Sequence, residues 1–333
     1  MLRIAYQDAY DVLLQKLLAV GLDPERAELS AGLFVDASRD GVPSHGLNRF
    51  PGFIESVRKG IVDIQARPRQ VASLGALERW DGQRGPGNLN AHDCMQRAIA
   101  LAREFGLGGV ALANTNHWMR GGNYGWQAAE AGMIAICWTN TMPNLPPWGS
   151  SRRLVGNNPL VIAVPRAAGH VVLDMAMAQF SFGVMSAYAR RNEQLPVPGG
   201  FDSAGQLTRD PQAIFDSGRT LPIGYWKGSG LALVLDLIGS LLSGGHATHQ
   251  IGADPAGETS VSQVFLALNP HGLDEEQPYE AIVDQIVAHF QGADPAGAER
   301  VYYPGERSME NRVSNMELGI PVEPETWQKI QAL

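Results

Sequence analysis

The sequence predicts an α+β fold, a mixed β-sheet with flanking helices. Three observations carry that prediction. Stretches of helical and of strand period alternate along the chain, and residues 158–178 read as two strands joined by the short turn "RAAG". No G-x-G-x-x-G stands between a strand and a helix. The nearest match, "GLGGVA" at residues 106–111, has a helix before it and a strand after it, so it reads as a helix C-cap and a tight turn.

From the N-terminus, "MLRIAYQDAYDVLLQKLLAVGLD" has the spacing of an amphipathic helix and, carrying Asp8, Asp11 and Lys16, is not a signal peptide. Residues 24–40 form a second helix. Asp23 caps it, Pro24 suits its first position, Ala27, Ala31, Phe34 and Val35 share one face, and Gly41 ends it. A short helix runs from Pro51 to Gly60. Residues 71–90 are rich in turn formers, and "HDCMQRAIALAREF" is a helix stopped by Gly106. "GGVALANT" and "MIAICWTN" are strands with a helical piece, "GWQAAEAG", between them. Helices are expected over 180–191, 228–243 and 279–291, a strand over 261–269, and a closing helix in "EPETWQKIQAL".

The 333 residues, 44% hydrophobic and 18% charged, are enough for a large core. A net charge of −8 argues against nucleic acid, whose phosphates need a concentrated excess of Lys and Arg, and no apolar run approaches a membrane span. Cys94 and Cys137 sit in apolar-periodic stretches and cannot build a disulfide framework, which makes the cytoplasm the simplest compartment.

The chemistry concentrates in "GVPSHGLNRF". His45 lies between Ser44 and Gly46 in a connector between two helices, and its ring can exchange a proton near neutral pH. Arg49, four residues on, can grip a carboxylate with two parallel hydrogen bonds. The pair suits reduction of a 2-oxo acid, the arginine holding the acid group while the histidine protonates the oxygen. On the residues alone, an exposed histidine beside a surface arginine reads the segment equally well. His117, among the asparagines and glycines of "NTNHWMRGGNYG", stands in a typical binding loop or braces it. Lys227 in "GYWKGSG" and Arg307 in the turn "YPGERS" are candidate anion sites or plain structural turns. His246 and His249 are three apart, but no third ligand is in reach, so no metal site is expected.

Several of these stretches together resemble the malate/L-lactate dehydrogenase family, which is unrelated to the Rossmann-type lactate dehydrogenases. The matching segments include "DGVPSHGLNRFPGFIESVRKG", "ANTNHWMRGGNYGWQAAEAGMIAICWTNT", "VGNNPLVIAVP", "VVLDMAMAQFSFG", "LPIGYWKGSGLALVLDL" and "YYPGERS", from one end of the chain to the other. The resemblance implies a non-Rossmann nicotinamide-dependent dehydrogenase, a homodimer, with NADH preferred to NADPH. By it His45 becomes the proton donor, with Ser44, Arg49 and His117 close to the substrate. Cofactor contacts fall on His170, Val171, Val172, Leu173, Asp174, Met175 and Ala176, on Trp226 and Lys227, and on Gly305, Glu306 and Arg307. The tryptophan-rich pieces point to a branch that reduces a diketo sugar acid. Malate, lactate, ureidoglycolate and cyclic imino acids are other substrates handled within the family. Some relatives place a lysine near the end of the "ICWTN" strand, and Asn140 and its neighbours offer none. The chain then reads as one unit with approximate lobes: a helical segment with the catalytic histidine over 1–60, a mixed-sheet cofactor and substrate region over 61–225, and a helical and C-terminal region over 226–333. Rival readings are a metal-dependent hydrolase or lyase built on His45 and His117, and a non-catalytic sugar-acid binding protein.

Overall fold

In the computed structural model, which describes residues 1–253, 255, 257–271, 279–294 and 300–333, side-chain alternation builds one large sheet with two buried faces. The chain opens with β1 (Leu2–Ile4), α1 (Tyr6–Ala19), α2 (Pro24–Arg39), a single 3₁₀ turn (Pro43–His45) and α3 (Phe50–Arg58). The sheet region follows as β2 (Arg69–Leu74), β3 (Leu77–Asp81), α4 (Gly87–Phe105), β4 (Leu107–Thr115), α5 (Gly122–Glu130), β5 (Ile134–Thr139), β6 (Leu160–Val164) and β7 (Val171–Met175). Next come α6 (Phe182–Arg190), β8 (Gly200–Phe201), β9 (Leu207–Thr208), α7 (Pro211–Ser217), β10 (Arg219–Thr220), α8 (Trp226–Ser243) and α9 (Thr248–Ile251). The last elements are β11 (Val261–Leu268), α10 (Tyr279–Gln291), α11 (Glu306–Leu318), β12 (Ile320–Val322) and α12 (Pro324–Gln331).

The seven-stranded sheet has the order β2-β3-β4-β11-β5-β6-β7 and is antiparallel except where β3 runs parallel to β4. Phe265 and Ala267 of β11 turn to one face with Val110, Leu112, Ala135 and Cys137, under α4 and α5. Their neighbours Val264 and Leu266 turn to the other with Ala111 and Trp138, under Ala232 and Leu235 of α8. The period of two therefore feeds two cores at once. A third core lies in the N-terminal helices, where Phe34, Phe50 and Phe53 meet Leu13, Leu17, Trp327 and Ile330. The mixed sheet with flanking helices is the expected α+β architecture.

The differences from expectation have physical reasons. Leu2–Ile4 is a strand rather than the start of α1, because it pairs with β12 from the other end of the chain. The turn-rich stretch contains the β2–β3 hairpin, whose strands carry few β-formers and whose β2 is exposed throughout. Helix α4 begins five residues before the expected start at His92, since Asn88 and Asn90 spend their side chains on Ser30, Gly82 and Thr115 instead of competing with the helix backbone. "YPGERS" is not a free-standing turn. Gly305, at φ +97°, starts α11, so Glu306 and Arg307 stand on its first turn. That helix, polar on most sides, has no apolar stripe to announce it and is held by polar contacts with α2.

Asp40 supplies the chief of those contacts. Its carboxylate, 2% exposed, accepts from Arg120 Nη1 at 2.7 Å, Arg312 Nη2 at 2.8 Å and Nε at 3.0 Å, and Arg39 Nε at 2.8 Å. Burial alone would push this carboxyl up, but hydrogen bonds from Arg312 and the charge of Arg120 outweigh it and hold the pKa at about 2. The contribution is present above the ordinary aspartate value of about 3.9 and is lost as pH falls toward the folded value. Asp40→Asn should destabilise the fold by about 3–5 kcal/mol, read as a lowered urea midpoint, because it leaves buried guanidinium charge unpaired. A midpoint within error of the wild type would show that the cluster is not a fastening.

Candidate active site

The site is built where α2 stops. After Gly41, at φ +89°, the chain makes one 3₁₀ turn, with His45 N–H donating to Val42 O and Gly46 N–H to Pro43 O. Gly46 lodges against α2: a Cβ there would lie 2.2 Å from Ser38 Oγ and 2.7 Å from Phe34 O, so no side chain fits. Leu47 N–H then donates to the same Ser38 Oγ at 2.8 Å. Locked in this way, the turn presents Ser44 and His45, with His45 Nδ1 3.0 Å from Ser44 Oγ. Nε2 is the ring nitrogen left to face a ligand.

Opposite stands the loop between β4 and α5. Met119, at φ +64°, bends it so that its N–H donates to His117 Nδ1 at 2.9 Å, which places the proton of a neutral ring on Nε2. The His45 and His117 rings stack at 5.8 Å between centroids and 21° between planes. Burial pushes His117 well below the ordinary histidine value, helped by the charges of Arg49 and His45. His45 is also lowered, first by burial; Asp174 opposes this, and Arg49 and Arg120 reinforce it. Asp174 in turn accepts from Gly122 N–H at 2.8 Å, which ties β7 to the start of α5.

A second wall comes from β7 and the start of α11. Val172 N–H donates to Pro304 O at 2.9 Å, and a Cβ on Gly305 would lie 3.0 Å from Val172 N, so glycine allows the two segments to touch. The guanidinium groups of Arg300 and Arg307 both lie over the Tyr302 ring, 4.4 and 4.3 Å from its centroid. Between the walls lies a cavity of about 1380 Å³. Ser44, His45, Arg49 and His117 line it, as do Val172, Leu173, Asp174, Ala176, Gly305 and Arg307. Two buried donors on its wall, Arg120 Nε and Trp126 Nε1, have no hydrogen-bond partner among the described residues.

Comparison with known proteins decides what this arrangement belongs to. The profile described as malate/L-lactate dehydrogenase matches residues 4–331. The chain belongs to the malate/L-lactate dehydrogenase family. It is 43% identical over 318 residues to a 2,3-diketo-L-gulonate reductase of Escherichia coli, covering 95% of this chain and 96% of the relative. Over 333 residues it is 42% identical to a 2,3-diketo-L-gulonate reductase of Citrobacter koseri, covering both chains completely. The sulfolactate dehydrogenase of Methanocaldococcus jannaschii superposes with a TM-score of 0.92 at 27% identity, over 99% of this chain and 96% of that one. As a malate/L-lactate dehydrogenase family member the protein is an oxidoreductase of a nicotinamide-dependent group acting on 2-hydroxy acids.

The family's cofactor suits the residues present. The cavity has room for a dinucleotide beside a small acid, five of its lining residues are arginines against three carboxylates, and the orphaned donors of Arg120 and Trp126 need acceptors. Val172, Leu173, Asp174, Ala176, Gly305 and Arg307 line the cavity and are the residues that would hold the cofactor. Other expected positions stand off the lining. His170 accepts from Arg166 N–H and packs on Trp126, and Met175 packs beneath α8. Glu306 accepts from Gln291 Nε2 at 3.1 Å, and Trp226 and Lys227 occupy the exposed first turn of α8. His246 and His249 also lie away from the cavity, and among the described residues no group of three His, Cys, Asp or Glu is disposed to hold a metal. Sequence reasoning passed over Arg120, which only the folded loop turns toward α2, and Glu258, which no spacing marks. Both line the cavity.

Because His117 stays neutral in the folded state, ring-proton NMR should show no titration near the ordinary value of about 6.5. The unfolded chain does take up protons there, so stability should fade as pH falls through that value. A His117 that titrates normally would mean the ring is not enclosed.

Proposed function

We propose that the protein reduces a 2-oxo acid of the diketo sugar acid class to the 2-hydroxy acid, with NADH as reductant. The single observation that carries this reading is the convergence of His45, Ser44, Arg49 and His117 on one cavity with β7 and the Gly305 turn. The relatives named for 2,3-diketo-L-gulonate reduction support the substrate class. NADH is favoured over NADPH because Arg166, a cation near β7 that could meet a ribose phosphate, is already paired with Asp284 Oδ1 at 2.6 Å.

When bound, reduced nicotinamide supplies hydride to the carbonyl carbon. The protein's own residues do the rest. Arg49 holds the substrate carboxylate in a bidentate pair, and His45, protonated as the imidazolium, donates its Nε2 proton to the carbonyl oxygen as negative charge develops there and is left as a neutral ring with Nδ1–H toward Ser44 Oγ. Ser44 Oγ steadies His45 Nδ1, and neutral His117 offers its Nε2–H to the same oxygen region. His170 to Ala176, Trp226, Lys227 and Gly305 to Arg307 are assigned to the cofactor, those off the lining on the family resemblance alone.

Arg49 also tunes the proton donor. Its charge lowers the His45 pKa in the free enzyme, and a bound carboxylate cancels part of that field. The limiting pKa of reduction should therefore lie below the ordinary histidine value in kcat/KM and higher in kcat, activity falling as pH rises through each. The test follows nicotinamide absorbance with 2,3-diketo-L-gulonate and simpler 2-oxo acids. His45→Asn should cut turnover by about 10²–10⁴-fold, and Arg49→Lys should act mainly on KM. Near-normal turnover of the His45 variant would remove the proton-donor role.

A homodimer is also proposed. Leu233, Val234, Leu237, Ile238 and Leu241 form an exposed stripe on α8, with Leu241 73% exposed, opposite the face packed on the sheet. Light scattering should give twice the chain mass, and Leu237→Glu should shift it toward the monomer. A monomeric wild type would overturn this. The two buried free thiols, Cys94 and Cys137, fit a reducing cytoplasm. No helix among the described residues is long and apolar enough to cross a membrane.

A further inference from the structure

The segment leading into β11 brings an acidic side chain to the cavity that the proposed reduction does not use. The antiparallel register pairs Val261 with Thr115, so Glu258, three residues earlier, runs alongside the loop that carries His117. The connection is stitched. Thr259, 1% exposed, donates from Oγ1 to Asn116 Oδ1 at 2.8 Å, and Ser260, at φ +57°, donates to Asn114 Oδ1 at 3.4 Å. Asn116 is itself anchored, donating to Arg84 O at 2.7 Å and Gly85 O at 3.0 Å. Glu258 is thus delivered by a fixed backbone to a wall that also holds His45, His117 and Arg49.

Of the three carboxylates on the lining, Asp174 is engaged with Gly122 N–H, and Glu323 belongs to the start of α12. Glu258 is the one on which the charge of Arg49 acts. Burial pushes its carboxyl up and Arg49 opposes the shift. An acid held by Arg49, with its carbonyl at His45, projects the rest of its carbon chain into the space these groups share. In a plain 2-oxo acid that remainder offers no hydrogen-bond donor. In a sugar acid it offers several hydroxyls, each needing an acceptor once removed from water.

We propose that Glu258 is the residue that selects a polyhydroxylated oxo acid, accepting hydrogen bonds from the hydroxyls beyond the keto acid and repelling a second carboxylate in the same place. This rests on the proposed reduction and names the contact that decides among its substrates. A site built to pair with a substrate hydroxyl discriminates strongly against an analogue lacking it, because its own polar group is then left buried and unpaired. The same carboxylate works against a dicarboxylic oxo acid by like-charge repulsion.

The test compares ratios of kcat/KM for wild type and Glu258→Gln with three substrates: 2,3-diketo-L-gulonate, pyruvate and oxaloacetate. The ratio for diketogulonate over pyruvate should fall by about ten-fold or more, the scale of a lost hydrogen bond to a charged group. The ratio for oxaloacetate over pyruvate should rise. If the variant lowers all three in equal proportion, Glu258 merely steadies Arg49 and the selection role is overturned, while the reductase reading stands. If the wild type reduces none of the three, both readings fall together. Should the glutamine variant not fold, Glu258→Asp keeps the charge and withdraws it by one methylene, and it must lower the diketogulonate ratio too. An unchanged ratio there is equally fatal.

Discussion

One buried carboxylate does more to shape this molecule than any apolar contact near the site. Asp40 ends α2, and the guanidinium groups it collects arrive from two other places, Arg120 from the loop after β4 and Arg312 from the middle of α11. Those places carry His117 and the turn at Gly305. The apolar core of the N-terminal helices takes in Leu89 of α4 and Met119 of the His117 loop, and the charge cluster adds a directional link that sets how the turn carrying His45 faces that loop. A buried ion pair adds little net stability compared with apolar packing, but its geometry is demanding, and that suits a point where three segments must meet in register.

The cavity draws on the same economy of charge. Arginines outnumber carboxylates on its lining, which attracts anionic ligands, yet burial and those same arginines push the two imidazoles on its wall toward their neutral forms. The free enzyme therefore takes up a proton on these rings less readily than it does with an anion beside Arg49. Substrate binding and proton loading become linked through Arg49, whose field reaches both rings and Glu258.

How much of this the sequence discloses depends on whether the signal is local. The helix over residues 24–40, the 158–178 hairpin and the strand at 261–269 were legible because period and caps coincide there, and Asp23 does accept from Arg26 N–H. The strand at Leu2–Ile4 and helix α11 were not, since each owes its form to a distant partner: β12 in one case, Asp40 and Arg39 in the other. At the site, His45 and Arg49 stand out because a titratable ring and a fixed cation share a small polar turn. Arg120 looked like one more polar residue in a glycine-rich loop. Glu258 sat at the end of a stretch whose two histidines drew attention to the wrong end of it. Position relative to a cavity is a tertiary property, and no spacing encodes it.

The strand order has a consequence for how the chain is made. β11, the fifth-last element of the chain, lies between β4 and β5, which are successive strands in sequence but not neighbours in the sheet. On a ribosome those two strands emerge well over a hundred residues before the strand that separates them. Until it arrives they must either wait with open edges or pair with each other in a register the finished protein does not use. The nascent chain is thus exposed to a trap in mid-synthesis, and escape from it falls to the segment running from Glu258 into β11.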